Sequence, residues 1–283
     1  MRVALVAHHQ RAEAAILART AATWLATYGI ASWMPTADAL ALGLMDLAEP
    51  PTLAASPLDD TELAISLGGD GTVLRTIEML GGRPVPVLGV NVGLLGYLTE
   101  VEPPAMLPAL ERWVGGDFRV EERMLLSTEV GRTGQRTLGL NETVIEKAEA
   151  GHTVRLLVSI DGAEFTTYQA DGLIIATPTG STAYSLSARG PIVSPTHRAL
   201  LVTPVSPHML FDRALVLDPS ETVTVEIIGH RPAGISVDGR NVAQLVEGDV
   251  VTLSAAAETA RFLRLGDRRF HQILKAKFGL ADR

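Results

Sequence analysis

The stretch LAISLGGDGTVLRTIEML, residues 63–80, decides how the first half of the chain folds. Residues 63–67 are a short apolar run suited to a strand covered on both faces, and residues 72–80 have helical spacing that stops at Gly81 and Gly82. Between them stand Gly68, Gly69, Asp70, Gly71 and Thr72. Glycines there let the chain turn tightly and let another molecule approach the backbone, while a helix N-terminus presents free N–H groups to an anion such as phosphate. The same residues also suit a plain strand-to-helix turn in which Asp70 only caps the helix. Arg75, one turn further on, either adds positive charge to the loop or points to solvent.

Outward from this unit the alternation continues. Residues 3–7 are another apolar run. Residues 12–28 follow with Leu17, Ala21, Trp24, Leu25 and Tyr28 on one helical face and Gly29 at the stop. Residues 30–34 and 85–90 are strand-like, and 106–114 are helical. Strand and helix in alternation predict a Rossmann-like parallel sheet flanked by helices. After about Phe118 the pattern changes to short β-branched runs at 143–145, 154–160, 173–177, 200–203, 222–228 and 250–253, several with period-2 alternation. Asp161-Gly162 and Asp238-Gly239 are hairpin-turn signals. These runs predict a β-sandwich-like all-β domain. Residues 261–265 read as a further strand. Phe270, Ile273, Leu274 and Phe278 place an apolar stripe on a last helix, and this tail returns to the first domain. The expected division is an α/β domain over 1–118 plus 261–283 and a β-rich domain over 119–260.

Composition limits what such a chain does. At 283 residues and 30.1 kDa, two domains are the expectation, and 47% hydrophobic with 20% charged residues is globular. A net charge of −8 repels polyanions, so nucleic acid is not an expected partner and any phosphate site must be built locally. With no cysteine there is no disulfide framework, thiolate-held metal or thiol nucleophile, which fits a cytoplasmic location. The early apolar run is too short for a signal-peptide core, and no run reaches the roughly 18 residues of a membrane span.

The usual phosphate devices are missing. No Gly-Lys dipeptide ends a P-loop, and neither the Rossmann glycine spacing nor the protein-kinase signatures occur. A phosphate site must then rely on backbone amides, Arg75, hydroxyls and a divalent cation. A second cluster, DGLIIATPTGSTAYSLSARGP over 171–191, runs from an apolar strand into a loop dense in Thr, Ser and Gly with one aromatic, Tyr184. It suits a ligand bearing phosphate, ribose and a flat base, and it equally suits a solvated polar loop. Asn141-Glu142 is a polar pair that by itself is an ordinary turn.

Taken together, the set resembles the NAD kinase family of the bacterial, ATP- or polyphosphate-dependent type. The resemblance rests on GGDGT at 68–72, GLLGYLTE at 93–100, LNE at 140–142, the long 171–191 segment, SPHMLFDRALVL at 206–217 and VDG at 237–239, in the family's order. It implies transfer of the terminal phosphate of ATP or polyphosphate to the adenosine 2′-hydroxyl of NAD, giving NADP. It also implies Asp70 as the proton acceptor. A carboxylate is too weak a base to strip an unactivated hydroxyl beforehand, so it would orient that hydroxyl and take the proton late, unless it holds metal instead. Gly68, Gly69, Gly71 and Thr72 would bind phosphate. NAD contacts would fall to Asp70, Gly71, Arg75, Asn141, Glu142, Asp171 and Thr182, Ala183, Tyr184, Ser185, Leu186 and Ser187. His152 stands where relatives often carry Arg or another polar residue that touches the ligand, and Arg240 stands where some carry Gln. His8 and His9 lie either near the donor or merely exposed. The resemblance further implies Mg2+ or another divalent cation, with unassigned protein ligands, and a homodimer or homotetramer. Two alternatives stand beside it: a lipid or sugar-phosphate kinase sharing the GGDGT loop, and a non-catalytic NAD(P)-binding regulator.

Overall fold

Strand β1 (Arg2–Ala7) lies between β2 (Ala31–Trp33) and β3 (Thr61–Gly68), and β3 pairs with β4 (Pro86–Asn91), all parallel. The structure is a computed structural model and describes residues 2–49, 56–149, 151–266 and 269–280. Its contacts divide the chain into two units, Met1–Glu122 with Arg261–Arg283, and Arg123–Ala260.

In the first unit the strand order is β2-β1-β3-β4, and Arg261 and Phe262 pair in parallel beside Pro86 and Val87. Parallel strands need crossovers, and α1 (Ala12–Thr27), α2 (Thr36–Leu42) and α3 (Asp70–Leu80) stand between them in the chain. Helices cover both faces of such a sheet, so a central strand such as β1 is apolar along most of its length: no residue from Val3 to Ala7 is more than 1% exposed. The core joins Leu5, Ile65 and Leu88 to Leu17, Leu25 and, from α4 (Met106–Val114), Leu110 and Trp113.

Several expectations shift in detail. Helix α1 buries Ala14, Ala18, Ala21 and Leu25, whereas Tyr28 is exposed and stacks on Trp24 at 4.4 Å; small residues let the helix sit close to the sheet, and the bulky ring ends outside. Gly29 does end it, at φ 69°. Helix α3 begins at Asp70, two residues before the expected start, with Gly69 as its N-cap.

The second unit is antiparallel. One sheet contains β8 (Val154–Ile160), β9 (Ala163–Ala170), β13 (Val223–Ile227) and the start of β16 (Val250–Arg264), together with β5 (Arg119–Val130) and β6 (Gln135–Gly139). The other runs β12-β11-β10-β7-β14-β15, with β7 (Glu142–Lys147), β10 (Gly172–Ala176), β11 (Leu200–Val205), β12 (Leu215–Leu217), β14 (Ala233–Val237) and β15 (Arg240–Leu245). Alternate residues of both sheets, among them Leu156, Val158, Val223 and Val225 from one and Leu173, Ile175 and Ile235 from the other, form one core. Asp161-Gly162 and Asp238-Gly239 are two-residue hairpin loops with φ of 48° and 77° at each, the twist-matched turn their sequence predicts.

At the C-terminus the strand expected over 261–265 is not separate, because it is the end of the 15-residue β16. The final helix α6 (Phe270–Lys277) forms, and Phe270, Ile273 and Leu274 of its apolar stripe are half-buried while Phe278 is exposed, so the stripe is only partly covered. Within the first unit this tail touches the loop after β4 through Lys277, whose ammonium lies 4.3 Å from the Tyr97 ring centroid.

Candidate active site

In the first unit the carboxyl ends of β1, β3 and β4 carry the polar residues, as is usual for ligand sites on parallel sheets. Asp70 occupies the first position of α3, yet it does not cap its own helix. Its Oδ2 accepts the Tyr97 N–H and its Oδ1 the Leu98 N–H, both at 2.9 Å. The loop after β4 thus folds over Asp70 and fixes both oxygens.

That contact explains Gly96. A Cβ there would lie 2.3 Å from Asp70 Oδ1 and 2.9 Å from Thr99 Oγ1, so only glycine lets the loop approach so closely. Gly96→Ala is expected to move Asp70 and lower kcat at least about tenfold while the protein stays folded. Steady-state kinetics with circular dichroism checks this.

Beside Asp70 opens a pocket of about 540 Å3 lined by His8, His9, Arg11, Gly69, Gly71, Thr72 and Arg75. Of the expected phosphate-binding residues, Gly68 does not line it, because its Cα packs on Thr72. His8 and His9 stand in the pocket wall, and Arg75 does not simply point to solvent. Burial and then the charges of Arg11 and Arg75 push the His8 imidazole below its ordinary value, against a smaller opposing backbone hydrogen bond. Its Nδ1 accepts the Gln10 N–H at 3.2 Å, which leaves the proton on Nε2.

The second unit gathers its polar residues around one hairpin tip. Asp238 folds back so that its carboxylate accepts the N–H groups of Leu140 (2.7 Å), Asn141 (2.8 Å) and Glu142 (3.1 Å). The Asn141 carbonyl takes the Thr177 N–H at 2.8 Å. A Cβ on Gly180 would come within 2.1 Å of that same carbonyl, so the 171–191 loop is pressed against the LNE corner. Glu142 is 7% exposed and its Oε2 has no partner. Burial first, and then Asp238, push its pKa up to about 8, against a smaller opposing effect of the Tyr184 backbone N–H.

A raised carboxyl pKa means that folding favours the protonated form. The stability Glu142 adds is full below about 4.5 and is lost as pH rises through about 8. Glu142→Gln is therefore expected to flatten the fall in melting temperature between pH 5 and pH 8, measured by thermal unfolding at stepped pH.

Asp171 lies at the other end of the same ladder. On β10 and β7, Ala176 pairs with Glu142 and Gly172 with Glu146, so Asp171 and Glu142 sit about 17 Å apart along the strands. The Asp171 carboxylate is held by the Lys147 ammonium at 2.6 Å, and its backbone carbonyl accepts the Lys147 N–H at 2.9 Å. Tyr184 senses both ends: Glu146 and Asp171 raise its pKa after burial, while its N–H acts on Glu142. Tyr184 and Ser187 are exposed, and both line a second pocket of about 540 Å3 with Arg189, Ser206, Asp212 and Arg213. Thr182, Ala183 and Leu186 are half-buried. Ser185 is fully buried, its hydroxyl 3.1 Å from that of Thr203. His152 is exposed in the loop after β7 and joins none of these contacts.

Asp238 and Lys147 as anchors, and the Tyr97–Leu98 cradle, went unassigned in the sequence. The VDG and LNE motifs mark two of these places, but nothing local says that they meet.

The likeness to known proteins extends over both units. The ATP-NAD kinase N-terminal domain model matches residues 3–118 and the C-terminal domain model residues 140–265. A NAD kinase of Heliobacterium modesticaldum is 40% identical over 97% of each chain, and one of Moorella thermoacetica 37% identical over 98% of this chain and 88% of its own. Among solved structures, yeast NADH kinase in complex with NADH superposes with a TM-score of 0.89 at 25% identity, covering all of this chain and 89% of its own. An Archaeoglobus fulgidus NAD kinase in complex with ATP shares the fold, with a TM-score of 0.76 at 22% identity over the whole of both chains. These matches place the chain among phosphotransferases that act on an alcohol group. The chain belongs to the NAD kinase family. They lend no support to a lipid or sugar-phosphate kinase or to a non-catalytic regulator.

Proposed function

We propose that this chain moves the terminal phosphate of ATP onto the adenosine 2′-hydroxyl of NAD, giving NADP and ADP. The observation that carries the reading is the Asp70 carboxylate, fixed on both oxygens by backbone N–H groups beside a glycine-rich helix N-terminus and a pocket rich in cationic and imidazole groups. In the step, a bond forms between the 2′-oxygen and the terminal phosphorus while the bond from that phosphorus to the leaving ADP oxygen breaks. The hydroxyl proton passes to Asp70. Phosphoryl transfer runs through a loose transition state in which positioning and charge stabilisation dominate, so a held carboxylate is better suited than a mobile one.

Gly69, Gly71, Thr72 and Arg11 face the donor phosphates in this reading, and Arg75, expected among the NAD contacts, is assigned to them because it lines the same pocket. Asn141, Glu142, Asp171 and the 182–187 segment recognise NAD. Glu142, whose buried Oε2 has no partner within the chain, meets a polar group of the dinucleotide, and Asp171 accepts from hydroxyls or an amide. Their separation along the ladder suits an elongated ligand.

Among the described residues no group of three or more His, Asp or Glu side chains is placed to hold a metal ion. A protein-built Mg2+ site is therefore not part of the proposal, and charge neutralisation by a divalent cation is assigned to one carried on the donor's phosphates. Polyphosphate fits the same pocket as an alternative donor. A homodimer or homotetramer is supported by Phe165 and Phe211, exposed and in edge-to-face contact, beside a fully exposed Leu210. Cytoplasmic residence agrees with the cysteine-free sequence, and no helix among the described residues is long and apolar enough to cross a membrane.

The test is NADP formation from NAD, ATP and Mg2+, read by an NADP-specific dehydrogenase. Turnover is expected. Absence of turnover with ATP and with polyphosphate, in protein that NAD still stabilises against heat, would favour the regulator instead.

A further inference from the structure

We propose that Asp38, on α2, is a positioning residue for the donor-phosphate pocket, its buried carboxylate fixing Arg75 and His9 in the pocket wall. Asp38 is 1% exposed, and a carboxylate so placed must be fully partnered. Oδ2 accepts the Ala7 N–H at 2.9 Å, at the end of β1. Arg75 grips both oxygens, Nη1 to Oδ1 at 2.7 Å and Nη2 to Oδ2 at 2.9 Å, and Nη2 also donates to the Ala7 carbonyl at 2.5 Å. The His9 Nε2 lies 2.7 Å from Asp38 Oδ1 and 2.6 Å from Arg75 Nη1. One buried carboxylate thus joins β1, the loop after it and α3.

The direction of these contacts decides the role. Asp38 does not line the pocket, but Arg75 and His9, about a third and two-fifths exposed, do. With both terminal nitrogens tied behind it, the Arg75 guanidinium cannot swing, so its charge stays where the Gly69–Thr72 turn faces the pocket. A planar fork gripped on both prongs is oriented much more strictly than a single contact would achieve. Freed, Arg75 would have to be ordered again by each incoming donor.

The inference rests on the reading of this pocket as the donor end of an NAD kinase, and one arm of the test does not. In Asp38→Asn, the KM for ATP is expected to rise about tenfold with the KM for NAD within about twofold of wild type. Inorganic tripolyphosphate should raise the melting temperature of the wild type and fail to raise that of the variant. In an Arg75→Gln background, Asp38→Asn should add no further donor defect. A donor KM that is unchanged, a KM that falls because Asp38 had been neutralising Arg75, or defects that add in the double variant each overturn the proposal. Should Asp38→Asn not fold, Asp38→Glu is judged by the same donor-against-NAD split, since one extra methylene displaces the fork. A wild type that tripolyphosphate stabilises but that forms no NADP would count against the kinase reading and leave the role of Asp38 to the tripolyphosphate arm.

Discussion

Asp70→Asn is expected to lower kcat about 10²- to 10⁴-fold while NAD still binds, the range found when a positioned acid or base is removed. Two losses combine. The amide cannot take the hydroxyl proton, and it presents one acceptor oxygen where the Tyr97 and Leu98 N–H groups now meet two. Pre-steady-state turnover alongside equilibrium NAD binding separates chemistry from recognition. Equal loss of NAD affinity would instead make Asp70 a binding residue.

The second large effect is on stability. Asp238→Ala leaves the buried N–H groups of Leu140, Asn141 and Glu142 without their acceptor, and removing a buried charged acceptor with several donors costs about 3 kcal/mol or more. Burial pushes the Asp238 carboxyl up and those three N–H bonds act against it, so the nest is what keeps a carboxylate tolerable there. A fall in melting temperature of about 10 °C follows from such a loss. Asp238→Asn, which keeps one acceptor oxygen, should fall less. Because the nest also shapes the LNE corner, NAD affinity should weaken in both variants in the same order.

These residues show what a sequence does and does not disclose. The turn at Gly68 to Thr72 was readable because an apolar strand, glycines and a helical period succeed one another locally, and the two Asp-Gly hairpins because that dipeptide adopts the needed positive φ. Partnership at a distance was not readable. Asp238 closes on residues almost a hundred positions earlier, and nothing near it in the chain announces three waiting N–H groups. Asp38 sits in a short helical stretch where an acidic residue reads as solvent-facing, and only packing against β1 and α3 buries it. The turn allowed Asp70 to be a mere cap; the loop over 96–98, brought back by the Val90–Val101 bridge, gives its carboxylate another partner. Conversely, the stripe of Phe270, Ile273, Leu274 and Phe278 has the period of a core helix and is only partly covered, since periodicity reports amphipathicity and not how much packs against it.

The most direct test of the whole account is the fate of the terminal phosphorus. With ATP labelled with 32P at the γ position, unlabelled NAD and wild-type protein, the label should appear in the 2′-phosphate of NADP, in step with ADP released, and the transfer should collapse in Asp70→Asn. Label recovered as inorganic phosphate, with none in NADP, would contradict the account.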